Sequence, residues 1–139
     1  MRRLAPLFLF VPLLIASCGR PTAVERSFAL GEPFWLGVGE LAVGDDFGTA
    51  VRFVRVVGDS RCPPRAVCIW AGEVVVEIGL QVGAGAPVLS ELHSALPPTG
   101  ARLDSLGRQI ELLAVEGGHG AGSDLTTGYR AQLRVSALR

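Results

Sequence analysis

Residues 73–82, EVVVEIGLQV, are the stretch that decides the fold. Apolar side chains occupy every second position of this stretch: Val74, Val76, Ile78, Leu80 and Val82. The positions between them include Glu73, Glu77 and Gln81. Because successive side chains of a β-strand point to opposite faces, this alternation predicts a strand with one buried face and one face in water.

Residues 129–137, YRAQLRVSA, repeat the same pattern near the end of the chain. The predicted inward positions are Tyr129, Ala131, Leu133, Val135 and Ala137, and the outward positions include Arg130 and Arg134. This outer face is basic, whereas that of residues 73–82 is acidic. If the two strands are neighbours, opposite charges pair across them and contribute about 0.2–1 kcal/mol each. Their adjacency is a hypothesis.

A third strand, predicted over residues 49–57, breaks the alternation. Arg52 and Arg55 are three positions apart, so they cannot share one face of a regular strand. A β-bulge between Phe53 and Val56 would bring both arginines to the outer face.

Weaker strands are predicted at residues 32–38, 40–43, 88–94 and 109–115, and turn-forming residues separate them at 44–48, 83–87, 97–100 and 104–107. No window of helical length has apolar residues at helical spacing. About seven to eight short strands indicate an all-β domain over residues 28–139, either an antiparallel β-sandwich or a small barrel.

Residues 59–72, DSRCPPRAVCIWAG, join two of these predicted strands. Cys68 and Trp70 are two apart and would face the same way at the start of the strand, where the indole could cover a sulfur bridge. Asp59 could accept backbone hydrogen bonds where the preceding strand ends. Gly72 fits a close approach or an unusual backbone angle.

The pattern of DSRCP, four residues and then CIWAG resembles the signature of a group of small bacterial secreted proteins and lipoproteins without an assigned activity. In that group the motif joins two strands and a tyrosine-containing strand closes the chain, as residues 128–130 would here. The resemblance covers about residues 28–139 and implies no catalytic residue. The alternative to a purely structural role for this segment is surface recognition, for which Arg61, Arg65 and Trp70 are the candidate binding residues.

The first 17 residues have the parts of a secretory signal peptide, whose apolar segment forms a helix. Two arginines precede an apolar run over residues 4–15, and small residues follow it. Pro6 and Pro12, together with a run shorter than the roughly 20 residues of a membrane span, argue against a transmembrane helix.

Ile15-Ala16-Ser17-Cys18 resembles the lipobox of bacterial lipoproteins, in which the cysteine receives a diacylglycerol and becomes the first mature residue. The resemblance implies a lipid on Cys18 and a position in the cell envelope. The residues that follow, up to 27, have no apolar periodicity, so residues 18–27 are predicted to be a lipidated tether. Two or three acyl chains make a stable anchor. Gly19 after the cysteine favours the outer membrane if the source has one, by resemblance to sorting patterns. A plain signal peptide with a coincidental cysteine is the alternative.

Assigning Cys18 to lipid leaves Cys62 and Cys68, an even pair that is expected to form a disulfide outside the cytoplasm. Their spacing is not that of a redox or zinc motif. His93 and His119 could complete four ligands, but His93 lies in a strand pattern and His119 in a glycine-rich loop at 117–122, so we expect no metal and no cofactor. Without residues 1–17 the chain carries 11 arginines against 13 acidic residues, which does not indicate a nucleic-acid partner.

The preferred hypothesis is a non-enzymatic binding or structural β-domain with an unknown envelope protein or ligand as partner. The rival is an extracytoplasmic enzyme or protease inhibitor that uses loops 59–68 and 117–128. Thr126-Thr127-Gly128-Tyr129 resembles a loop motif of chagasin-type inhibitors of cysteine proteases, but here it comes last in the chain instead of before the other inhibitory loops.

Overall fold

The computed structural model describes residues 25–94, 101–118 and 124–138. The predicted signal peptide, Cys18, the first part of the tether and His119 lie outside these residues. The described residues contain nine strands and no helix. The strands are β1 (Glu25–Phe28), β2 (Pro33–Gly37), β3 (Leu41–Gly44), β4 (Thr49–Asp59), β5 (Val74–Val82), β6 (Val88–His93), β7 (Arg102–Ser105), β8 (Arg108–Glu116) and β9 (Arg130–Ala137).

The nine strands form two sheets. One has five strands in the order β1-β3-β4-β5-β6, and the other has four in the order β2-β9-β8-β7. Neighbouring strands are antiparallel except β1 and β3, which are parallel. The predicted β-sandwich is therefore confirmed, and the alternative of a small closed barrel is wrong.

The core lies between the sheets and follows the predicted alternation. On β5 the buried residues are Val74, Val76, Ile78 and Leu80, and on β9 they are Ala131, Leu133 and Val135. Tyr129, just before β9, is also buried. The inward faces of both strands are thus as predicted up to their last positions, where Val82 is half-buried and Ala137 is exposed.

The predicted bulge in β4 is confirmed. The register between β4 and β5 shifts between Phe53 and Arg55, so Phe53 and Val56 are both buried although they are three positions apart. Arg52 and Arg55 both remain exposed. A second shift, between Val56 and Gly58, was not predicted.

The hypothesis that residues 73–82 and 129–137 are neighbours is wrong, because β5 and β9 lie in different sheets. Each strand finds its opposite charge within its own sheet. Arg55 on β4 donates to Glu77 across 2.9 Å, and Arg134 donates to Glu111 on β8 across 3.3 Å.

Strands β1 and β7 were not predicted. Strand β1 begins at Glu25, within the segment predicted as a tether, and places Phe28 in the core. The ring of Phe28 stacks on that of Phe34 in the other sheet, with ring centroids 4.3 Å apart. The packing of Phe28 against Phe34 thus fixes the position of β1, and the polar residues before Phe28 pair with β3.

The strand directions define two ends of the sandwich. Strand β4 ends at Asp59, at what we call the disulfide end, and β8 runs the same way. Glu25 is in register with Leu41, which pairs with Arg52 of β4. Because β1 is antiparallel to β4, its first residue, Glu25, is the residue of β1 nearest the disulfide end. Strand β9 ends at the opposite end, where Ala137 pairs with Arg108.

Candidate functional site: the disulfide loop and the clamp beneath it

Residues 60–73 connect β4 to β5, and we call them the disulfide loop. Backbone and side-chain hydrogen bonds between Ser60 and Glu73 close its base, with the Ser60 amide 2.8 Å from the Glu73 carbonyl. Cys62 and Cys68 form the predicted disulfide, with their Cα atoms 5.9 Å apart. The loop is thus fixed twice, once at its base and once within.

Gly72 has both properties expected of it. Its φ is +68°, and an added Cβ would lie 1.9 Å from the carbonyl oxygen of Ser60. Only glycine allows the two sides of the loop to approach this closely.

The side chains of Asp59, Arg61 and Tyr129 form a cluster at the base of the loop, which we call the Asp59 clamp. Asp59 has no exposed side-chain surface. Its Oδ1 accepts bonds from the Arg61 backbone amide at 3.1 Å and from Arg61 Nε at 3.0 Å. Its Oδ2 accepts from Arg61 Nη2 and from the Tyr129 hydroxyl, each at 2.8 Å. The predicted backbone bond to Asp59 is therefore present, within a larger network.

Arg61 connects this cluster to the other sheet. Its Nη1 donates to the carbonyl of Val115 at 3.3 Å and its Nη2 to that of Gly117 at 2.6 Å, just where β8 ends. Burial favours protonation of Asp59, but the hydrogen bonds from Arg61 and Tyr129 outweigh it, and the pKa of Asp59 lies below its usual value. The hydrogen bond to Asp59 likewise raises the pKa of Arg61. The guanidinium of Arg61, which was predicted as part of a binding surface, thus bonds within the fold while 31% of the side chain stays exposed.

Two glycines pack closely against Tyr129 in the other sheet. A Cβ on Gly117 would lie 1.8 Å from the Gly128 carbonyl oxygen, and a Cβ on Gly118 would lie 2.2 Å from the Tyr129 hydroxyl. Both have positive φ. Their conformational freedom therefore serves close packing against the clamp, a role that the sequence analysis missed.

The outer part of the disulfide loop exposes apolar side chains. Val67 is fully exposed, and Ile69 and Trp70 keep 92% and 74% of their surface accessible. We call these three residues the apolar tip. Arg65 is exposed beside it, with a φ of +73°. The predicted candidates Arg65 and Trp70 are therefore accessible, whereas Val67 and Ile69 were not singled out.

The expectation that Cys68 and Trp70 begin a strand is wrong. Strand β5 begins at Val74, so both residues belong to the loop. Pro63, Pro64 and the disulfide shape this segment in place of sheet pairing, and Trp70 is left mostly in water.

Comparisons with protein-family models, with curated proteins and with solved structures found no match for this chain.

Of the residues considered as metal ligands, the structure describes His93, Cys62 and Cys68. His93 lies beside Glu73, with Nδ1 and Oε2 3.2 Å apart, and the two cysteines are bonded to each other. Within residues 25–94, 101–118 and 124–138, no group of three or more His, Cys, Asp or Glu side chains could hold a metal ion. In the same ranges, no helix has the length and apolar character needed to cross a membrane.

Loop 59–68 and the described residues of loop 117–128, which are 117–118 and 124–128, lie at the same end of the sandwich, joined by the bond from Arg61 to Gly117. The inhibitor-like motif is not presented as one exposed surface, because Tyr129 is only 2% exposed and its hydroxyl bonds to Asp59. Thr126 donates to Asp124 through both its backbone amide and its hydroxyl.

A second clamp lies at the opposite end. The buried Thr49 hydroxyl donates to Asp46 at 2.7 Å and accepts from Arg108 Nε at 2.9 Å, and Arg108 Nη2 also bonds to Asp46 at 2.7 Å. The side-chain bond from Thr49 is the main cause of a lowered Asp46 pKa. Strands β4 and β8 are therefore tied together at both ends.

Proposed function

We propose that this chain is a bacterial envelope lipoprotein, anchored through acyl chains on Cys18, whose β-sandwich is a non-enzymatic binding or structural module. The lipobox-like residues 15–18 support the anchor. The binding role is carried by one observation, the apolar tip: three neighbouring apolar side chains are held in water on a loop fixed by a disulfide and a clamp.

Exposed apolar surface of this kind is typical of interaction sites. Isolated apolar residues on a protein surface are common. A tryptophan together with two aliphatic side chains has the composition of a hot spot at the centre of a protein interface. Because the disulfide and the base hydrogen bonds already fix the loop, binding through the tip costs little additional backbone conformational entropy.

The rival function is an enzyme or inhibitor that uses loops 59–68 and 117–128, whose described residues share one end of the sandwich. The polar groups found between these loops are engaged with one another: Arg61 bonds to Asp59 and to Gly117. This arrangement favours a rigid platform over a reactive site.

The anchor is tested by replacing Cys18 with alanine and fractionating cells, with a carbonate wash to remove peripheral proteins. The parent is expected in the membrane pellet and Cys18→Ala in the soluble fraction. The double variant Cys62→Ala/Cys68→Ala is the matched control, because it loses two cysteines and keeps the anchor. Retention of Cys18→Ala in the pellet at the parental level would contradict the anchor.

The binding role is tested by placing a photoreactive amino acid at position 70, with the same residue at position 47 as control. Phe47 is 92% exposed but lies at the opposite end of the sandwich. Crosslinks to an envelope component are expected from position 70 only. Equal yields from both positions would argue against a binding role for the tip.

A further inference from the structure

We infer that the apolar tip, together with Arg65, contacts the headgroup region of the bilayer in which the chain is anchored. This inference rests on the proposed lipidation of Cys18. The proposed binding partner of the exposed side chains of Val67, Ile69 and Trp70 is thus a phospholipid surface.

The course of the chain places the tip near the bilayer. Strand β1 is antiparallel to β4, so the start of β1 at Glu25 points toward the disulfide end. From Cys18 to Glu25 the chain spans at most about 25 Å even when fully extended. Along β4, the distance from the level of Glu25 to Asp59 is about 20 Å. An anchor at Cys18 therefore holds Glu25 within about 25 Å of the membrane, and a tether that continues the direction of β1 brings the disulfide end to the membrane surface.

The chemistry of the tip fits the interface between headgroups and acyl chains. Tryptophan is favoured at this depth because its large ring is apolar and its N–H can still find a polar partner. Val67 and Ile69 add aliphatic surface, and the exposed guanidinium of Arg65 matches the negative charge of phosphates.

The carboxylate of Asp59 at the base of the loop is compensated, which lowers the cost of approaching an anionic surface. It is buried and paired with Arg61 across 2.8 Å. The side of the loop that faces outward thus presents apolar groups and one cation.

The test uses the fluorescence of Trp70 in the full lipidated protein, reconstituted into vesicles of phosphatidylethanolamine and phosphatidylglycerol. Trp35→Phe leaves Trp70 as the sole tryptophan, since the chain has two. Part of the lipid carries bromine on its acyl chains and quenches nearby indoles. We expect about a twofold or greater loss of Trp70 emission in these vesicles. The difference in emission between the parent and Trp70→Phe measures the same quantity without altering Trp35.

The matched control moves the reporter to the other end of the sandwich. In a chain with Trp35→Phe and Trp70→Phe, the substitution Phe47→Trp places a tryptophan at an exposed position in the turn before β4. Its emission is expected to be unaffected by brominated lipid and fully accessible to iodide in water.

The outcomes separate this inference from the proposed function. Mass spectrometry of the Cys18 peptide reports the anchor, and a peptide without acyl chains would overturn the proposed function and this inference with it. With the acyl chains present, an unquenched Trp70 or an equally quenched Phe47→Trp reporter would overturn the inference alone. Crosslinking of the tip in native envelopes to a protein only would also overturn it, in favour of a protein partner.

Discussion

Replacing Asp59 with asparagine tests whether the Asp59 clamp holds the two sheets together. Asp59 is fully buried and accepts four hydrogen bonds, three from Arg61 and one from Tyr129. Asparagine has nearly the same shape, but it is neutral and one of its two polar atoms is a donor. Whichever way the amide turns, two donors of the clamp face an N–H group in place of a carboxylate oxygen.

The expected loss follows from the burial of the pair. Removing one partner of a buried ion pair costs about 3–5 kcal/mol. Arg61 keeps 31% of its side chain exposed and retains its bonds to the carbonyls of Val115 and Gly117, so part of its charge remains solvated. We therefore expect Asp59→Asn to lower the free energy of unfolding by about 2–4 kcal/mol. That is a large fraction of the roughly 5–15 kcal/mol of an ordinary domain.

The measurement is urea unfolding followed by near-UV circular dichroism, with Asp104→Asn as control. Asp104 is exposed on β7 and accepts a bond from Gln109 at 3.0 Å, so its replacement should change stability by less than about 0.5 kcal/mol.

The pH dependence adds a second readout for Asp59. Its pKa in the folded state is lowered, so its contribution is fully present above the unfolded pKa of about 3.9 and is lost as the pH falls through the folded value. The difference between parent and Asp59→Asn should therefore narrow below about pH 4. The reasoning is refuted if Asp59→Asn behaves like Asp104→Asn, or if the difference does not narrow in acid.

Two further substitutions test the disulfide loop. The double variant Cys62→Ala/Cys68→Ala should lose about 2–2.5 kcal/mol of unfolding free energy, the chain-entropy value for a loop of about seven residues. Reductant should destabilise the parent by the same amount and leave the variant unchanged, and an unaffected parent would count against this role. Gly72→Ala should lose about 2–5 kcal/mol, because it adds a collision with Ser60 to the strain of a positive φ. Gly107→Ala shares the positive φ but has open space around the new Cβ, so it should lose only about 1–2 kcal/mol, and equal losses at both glycines would contradict the steric argument.

Alternation made the core strands predictable from the sequence. Val74 to Leu80 and Ala131 to Val135 repeat with period two over enough residues to fix which face is buried. The spacing of Arg52 and Arg55 predicted the bulge, because two residues three positions apart face opposite sides of a regular strand and a bulge brings both to the solvent side. Both predictions depend only on the spacing of side chains within one strand, which does not change when the strand packs into a sheet.

The remaining features depend on contacts between distant residues. Strand β1 forms because Phe28 finds Phe34 in the other sheet, although the residues before it are polar. Arg61 lies next to Cys62, in a segment whose composition is typical of a surface loop. The backbone carbonyls to which its guanidinium donates are 54 and 56 residues further along the chain, so local sequence does not reveal them. Pairing by charge misassigned β5 and β9, since both sheets contain residues of each sign and sequence gives no order of strands.

The parallel pairing of β1 with β3 has a mechanical consequence. A pull on Glu25 toward the disulfide end acts along the axis of β1, which is antiparallel to β4, whereas β9 ends at the opposite end. Tension between those two points loads the contacts between β1 and β3 together, in shear, so that they cannot open one by one as in a peeled hairpin. The first strand would thus transmit the force between the tether and the sandwich.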